Sequence, residues 1–226
     1  MEQTLFILKP DATIRRHVGA LTLDILVRHF KPVAFKEVRV PHDFSEVHYA
    51  EHRGKFFYNW LVNFLTIYNV VVVIFEGENV IKETRELLGN TLAHKADPDT
   101  IRGKFGIWGG VNIAHASDSA DSAKREIKLW KNNFDLIFDE RTASDDLGMY
   151  LKKWLSKNPP KTKTYEMREI CKKYCNDDIE RKDAILSLEK IIISELRENN
   201  IPYEKEVIRN FVDFVLANVD LSRTSK

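Results

Sequence analysis

Apolar positions along the first part of the chain switch between two spacings. Thr4 to Leu8 is a short apolar run that stops at Lys9-Pro10-Asp11, and it reads as a buried strand ended by a proline with no ladder donor. Leu21, Leu23, Ile25, Leu26 and Phe30 give a helical face that starts after Gly19. Val33, Phe35, Val38 and Val40 keep the period of a strand over Val33 to Val40 but slip once. His42 to Arg53 is polar and predicts short helices, and Phe56 to Leu65 places Phe57, Leu61, Phe64 and Leu65 on one helical face. Val70 to Phe75, bounded by Asn69 and Glu76-Gly77, is the expected central strand. Asn79 to Leu88 reads as a helix capped by Asn79 and closed by Gly89. Phe105 to Ile113 is expected as a last strand broken at Gly109-Gly110, followed by a helix from Asp118 or Ser119 to Trp130. This order of four strands and intervening helices predicts an α/β sandwich of ferredoxin-like type with a four-stranded antiparallel sheet.

The pattern then changes. Eight of the 9 glycines lie between Gly19 and Gly110, and all 7 histidines lie at or before His115. A first domain over 1–138 and an all-helical extension over 139–226 are expected. Leu147, Tyr150, Leu151, Trp154 and Leu155 make one amphipathic stripe. Residues 158–164, with Pro159-Pro160 and no apolar side chain, read as a linker. Tyr165 to Tyr174 is helical; Ile185, Leu188, Ile192 and Leu196 mark a longer helix; and Val207, Ile208, Phe211, Val212 and Val215 mark a last one beyond Pro202. These stripes predict a small helical bundle, packed on the first domain or across a subunit interface. If it is an accessory, truncation at Ser156 leaves a folded protein.

Charge narrows the classes of function. Lys and Arg total 35 against 34 Asp and Glu, and residues 139–226 carry 17 of each sign. That balance, without a basic stripe interleaved with aromatics, argues against nucleic acid as a partner. The longest apolar run, Val70 to Phe75, is far short of the about 20 residues a membrane helix needs. Met1-Glu2-Gln3 does not start a signal peptide, so a cytoplasmic protein is expected. Cys171 and Cys175, four apart on a predicted helix, rule out a disulfide-stapled scaffold and lack the histidines of a zinc site.

The chemistry concentrates in Asn112-Ile113-Ala114-His115-Ala116-Ser117-Asp118-Ser119. No Gly-x-x-x-x-Gly-Lys-Ser/Thr loop accompanies it. A neutral imidazole at His115 is a nucleophile near pH 7, and Glu126 in the next helix is placed to accept from one ring nitrogen and leave the other free. A single histidine serves equally well as a structural residue. Lys9, Arg85, Arg102 and Lys104 stand next to predicted strand ends or glycines, where they either converge on a phosphate-rich ligand or remain solvated charges. Thr91 reads as a phosphate donor or a helix-end hydroxyl. Phe56 reads as a stacking platform or a core residue, and Tyr49 as a nucleotide donor or a half-buried surface residue.

Taken in order, these residues join a longer set: Lys9-Pro10-Asp11, His48-Tyr49, Phe56-Phe57, Glu76-Gly77, Arg85-x-x-Leu88-Gly89-x-Thr91, Thr100-Ile101-Arg102-Gly103, and Asn112 through Ser119 with Glu126. Over about residues 3–135 the set resembles the nucleoside diphosphate kinase family. The resemblance implies transfer of the γ-phosphoryl of a nucleoside triphosphate to a nucleoside diphosphate, by a ping-pong route through a phosphohistidine. It implies His115 as nucleophile, Glu126 orienting its ring and Ser117 supporting Glu126. Lys9, Tyr49 and Asn112 would act near the transferring phosphate and ribose. Arg85, Thr91 and Arg102 would hold the phosphates, Phe56 would stack on the base, and Asp118 would help place Mg²⁺ through water. A platform without base-edge contacts implies broad base specificity. The implied partners are nucleoside tri- and diphosphates and further copies of the chain, hexameric in the family. Four stretches depart from the family pattern: Ile67-Tyr68-Asn69 stands for Ser-Gly-Pro, Leu92-Ala93 for Asn-Pro, Val111 for Arg and Ala116 for Gly. The first two touch loops that contribute to subunit contacts in the family. A nucleotide-binding interaction module, with the extension recruiting a partner, is the competing reading.

Overall fold

The computed structural model describes residues 1–155 and 161–224. Four strands, β1 (Glu2–Leu8), β2 (Lys31–Val38), β3 (Val70–Gly77) and β4 (Ala114–Ala116), form one sheet in the order β2-β3-β1-β4, antiparallel throughout. β1 and β3 are central and apolar on both faces. Phe6, Leu8, Val71, Val73 and Phe75 enter one core; Leu5, Ile7, Val70, Val72 and Ile74 enter another on the opposite face. That division is the period of two of a pleated strand. The slip expected between Phe35 and Val38 does not interrupt the pairing, which runs unbroken from Ala34 to Val38; the register shifts instead between Pro32 and Ala34, and Pro32 is tolerated because β2 lies at the sheet edge.

The helices cover both faces. α1 (Pro10–Ile14) follows β1 with Pro10 at its first turn, where a missing N–H costs nothing. α2 (Arg16–Leu26) starts at Arg16 rather than after Gly19. Gly19 lies inside it because a Cβ there would stand 3.0 Å from the Ala12 carbonyl and from the Tyr150 hydroxyl. α3 (His42–His48) and α4 (Tyr58–Thr66) lie on the face of Leu5 and Ile7. α5 (Val80–Leu88) ends at Gly89 as expected, but Asn79 sits in the left-handed region and its side chain makes no capping bond. Then come α6 (Ile101–Phe105), α7 (Ala120–Phe134), whose cap is Ser119 accepting from the Ser122 N–H, and α8 (Glu140–Trp154). α8 packs on β2 and α2, and its Leu147 and Tyr150 share the core of Phe6 and Leu8.

The strand expected over Phe105 to Ile113 does not form. α6 takes its start, and a turn links Trp108 to Val111 by a single bridge. Only Ala114–Ala116 reaches the sheet, opposite Phe6 to Leu8. Gly109-Gly110 folds this segment back on itself, with the Ile107 N–H on the Val111 carbonyl and the Val111 N–H on the Trp108 carbonyl.

α9 (Thr164–Cys175), α10 (Arg181–Glu198) and α11 (Lys205–Thr224) form the expected bundle. Its core, from Met167, Leu188, Ile192, Phe211 and Val215, continues into Trp60, Phe64, Ile107, Trp108 and Val111 of the sheet domain. Of the expected linker, Lys161 to Lys163 lead into α9 without helix, and residues 158–160 lie outside the described residues.

Candidate active site

β4 presents His115 opposite Ile7 of β1. His115 Nε2 lies 3.1 Å from Glu126 Oε1 on α7, and the Ser117 hydroxyl donates to Glu126 Oε2 at 2.6 Å. Ser117 and Glu126 are buried while His115 is half-buried, so the supporting pair is fixed and the ring stays accessible. Nδ1 is left as the ring nitrogen without a protein partner among the described residues. Burial alone would raise the Glu126 carboxyl, but His115 and the bonds from His115 and Ser117 outweigh it and hold the pKa at about 2.

Two rings close on the imidazole, and a third, Trp130, backs one of them. The rings of His48 and Tyr49 approach His115 at centroid distances of 4.7 and 6.1 Å. Tyr49 is buried, not half-exposed, and burial raises its hydroxyl above the usual range. Trp130 Nε1–H donates to His48 Nδ1 at 3.3 Å, and burial drives the His48 pKa well down, so the ring is neutral and carries its proton on Nε2. Phe56, 64% exposed, is no core residue; it connects to the site through a run of rings from Phe57 to His52 to Tyr49.

The cations come from three places: Lys9 at the end of β1, Arg85 on α5 and Arg102 on α6. Lys9 Nζ donates to the Gly110 carbonyl at 2.5 Å; burial lowers its pKa to about 8, Asp11 opposing and Arg102 reinforcing the shift. Arg102 donates to the carbonyls of Gly89 and Ala114, and burial followed by the charge of Arg85 brings it down to about 10. Asn112 Nδ2 donates to the Thr91 carbonyl at 2.6 Å. Thr91 is exposed, and Arg85 lines an open depression with Asp118, Lys82 and Glu86. The structure thus joins His115, Glu126 and Ser117 directly. It ties Lys9, Asn112, Thr91 and Arg102 together through loop backbone, and leaves Arg85, Asp118 and Phe56 at the rim.

Three residues carry geometry that the sequence did not assign. Ile113 holds φ at +79°, a conformation a β-branched residue avoids at a cost of about 1–3 kcal/mol. Asp11 Oδ2 accepts its N–H at 2.7 Å and the Lys9 N–H donates to its carbonyl at 2.8 Å, so this turn is clamped two residues before His115. Asp11 and His48 stood inside the noted motifs, but nothing in one-dimensional spacing tells a buried carboxylate's role. Among the described residues, the group of three side chains close enough for a metal is His48, His115 and Glu126. Its nitrogen donors do not suit Mg²⁺, a hard cation that prefers oxygens. Asp118, whose carboxyl is held below the usual range by Ser122 despite partial burial, offers one hard oxygen at the rim. That fits a cation carried in by phosphates, which keeps most of its waters.

Fold and site together define an α/β protein in which a half-buried histidine, tied at one ring nitrogen to a buried carboxylate, lies in a site with two buried cations, Lys9 and Arg102. Known proteins place it further. The nucleoside diphosphate kinase family model matches residues 2–136. A nucleoside diphosphate kinase of Staphylococcus epidermidis is 43% identical over 130 residues, 58% of this chain and 87% of that one. One of Carboxydothermus hydrogenoformans is 42% identical over 142 residues, 63% and 95% of the two chains. The Halobacterium salinarum enzyme, solved in complex with CDP, superposes with a TM-score of 0.57 at 34% identity, covering 65% of this chain and 97% of that one. The chain belongs to the nucleoside diphosphate kinase family, and it is an enzyme of that phosphotransferase class acting on nucleotides. Among the described residues no helix is long and apolar enough to cross a membrane.

Proposed function

We propose that the chain moves the γ-phosphoryl group of a nucleoside triphosphate to a nucleoside diphosphate by a ping-pong route through phospho-His115, with broad base specificity. The observation that carries this is the His115–Glu126–Ser117 line, which commits Nε2 to Glu126 and leaves the Nδ1 lone pair for attack. In the first half-reaction Nδ1 forms a bond to the γ-phosphorus while the bond to the bridging oxygen breaks, and the diphosphate leaves with that electron pair. In the second, a terminal oxygen of another diphosphate takes the phosphoryl group and frees the ring. Glu126 stabilises the positive charge on the imidazole during both steps. Lys9, Arg102 and Arg85 balance charge on the phosphate oxygens, Thr91 and Asn112 donate to phosphate and ribose, and Tyr49 fixes the ribose end. Phe56 stacks on the base; Phe56→Ala should weaken purine and pyrimidine nucleotides alike, by roughly 5- to 100-fold. Mg²⁺, when bound beside Asp118, neutralises phosphate charge.

Residues 1–138 are proposed as the catalytic unit and residues 139–226 as its extension. The protein is proposed to work in the cytoplasm as a homo-oligomer, which sedimentation equilibrium measures. Intact-mass spectrometry after brief incubation with Mg²⁺ and ATP tests the mechanism. One added phosphoryl group, absent in His115→Ala and removed by GDP, is the expected result. No adduct on a chain that still binds ATP would overturn it in favour of a binding module.

A further inference from the structure

The bundle α9–α11 touches the sheet domain at the segment that carries the phosphate-holding residues, and it does so with polar bonds as well as apolar contact. α6 is only five residues long; the Arg102 carbonyl accepts the Gly106 N–H at 3.0 Å, and the Phe105 and Gly106 carbonyls lie past the last helical bond. Arg168 on α9 donates to the carbonyls of Arg102 and Gly106 at 2.8 Å each through Nη2 and Nε. Arg15 donates to the Phe105 carbonyl at 2.9 Å and is itself held by Glu195 on α10 and Thr164 on α9. Two guanidinium groups anchored in the bundle therefore cap the helix that bears Arg102. Cations at this end also suit the helix dipole.

The next turn is held from α11. Asn218 Oδ1 accepts the Gly110 N–H at 2.8 Å, and a Cβ at Gly109, whose φ is +48°, would stand 2.2 Å from that oxygen. Gly110 is pinned on its other side by Lys9 Nζ at its carbonyl. Trp108 donates from Nε1 to the Ser222 hydroxyl at 3.1 Å and stacks on His94 at 4.5 Å, and His94 Nδ1 accepts the Gly109 N–H. Arg102 and Asn112 thus stand on a segment that the bundle holds at Arg102, Gly106 and Gly110, and Lys9 bonds the same segment at the Gly110 carbonyl.

We propose that the three-helix bundle is an intramolecular brace for the phosphate-holding loop 102–112, with Arg168 and Asn218 as its positioning residues. The proposal rests on the reading of the site given above. Neither residue touches the reacting atoms. Each acts through the loop backbone, so its loss should lower phosphoryl transfer more than it weakens nucleotide binding.

The test compares Asn218→Ala with Asp220→Ala in the full chain. Asp220 lies on the same helix but bonds Tyr174 and Arg181 within the bundle, away from the loop. Asn218→Ala should lower kcat by about 5-fold, the equivalent of one hydrogen bond, with KM little changed. It should also speed amide exchange at Gly110, and Asp220→Ala should do neither. Equal losses in both variants, or no change in kcat and exchange for Asn218→Ala, would overturn the proposal. Should Asn218→Ala not fold, exchange in the wild-type chain decides: the brace requires amides 106–112 to exchange as slowly as those of α11, and fast exchange there overturns it. If the wild-type chain transfers no phosphoryl group, the functional reading fails by itself. The brace is then read from exchange alone, where an unchanged Gly110 amide in Asn218→Ala would sink it.

Discussion

At the residue scale, the site is organised by opposed protonation. Glu126 stays ionised because His115 and Ser117 face it, whereas buried Lys9 is pushed the other way, towards neutrality. Lys9 is therefore charged below about pH 8 and loses its proton above it. A cation that binds phosphate must carry its charge, so kcat/KM should fall as pH rises through about 8, the pKa being that of the free enzyme. Lys9→Arg should remove that descending limb, because a guanidinium does not titrate there. A limb unchanged by the substitution would assign the titration elsewhere. The residues of this site were readable in order along the chain, since each motif is local. Their division of labour was not, because the desolvation that tunes Lys9 and His48 comes from elements far away in sequence.

At the element scale, most helices and the two central strands follow from periodicity, although α2 begins at Arg16, ahead of the expected start; α6, β4 and the position of α8 do not. Apolar spacing identifies a helix but not the surface that it covers. α8 packs on the edge strand β2 and gives Tyr150 to the core beside Phe35. The docking of α10 is polar: Glu195, wholly buried, accepts from Arg15 at 2.7 and 3.2 Å and from the Lys163 N–H. Burial opposes its charge, but Arg15 and His17 hold its pKa at about 2, below the ordinary 4.5. The stabilisation is therefore complete above about pH 4.5 and lost as pH falls towards 2. Glu195→Gln should destabilise the chain by about 3–5 kcal/mol at neutral pH, measured by urea unfolding. The gap from wild type should close as the solution is acidified through that window. A gap that stays constant down to pH 2 would show that the charge of Glu195 contributes nothing.

On the scale of the whole molecule, three cores rather than two make the fold. The third is shared between the bundle and Trp60, Phe64, Ile107, Trp108 and Val111. A chain ending at Leu155 would expose those side chains together, which argues for the extension as a structural part of the fold. The truncated chain should aggregate, and size-exclusion chromatography of the soluble fraction checks this; a monodisperse, active fragment would restore the accessory reading. The strands β1, β2 and β3, the helical stripes of the extension and the ordered motif set around His115 are legible in the amino-acid sequence alone. Local period and spacing are sufficient for each of these. Tertiary structure alone decided that residues 105–113 turn instead of pairing, and that the bundle seats on them. Their backbone groups find partners on side chains as distant in sequence as Asn218, 108 positions from Gly110, and the anchoring ion pair spans the 180 positions from Arg15 to Glu195. No local pattern encodes a hydrogen bond between groups that meet only when three cores close at once.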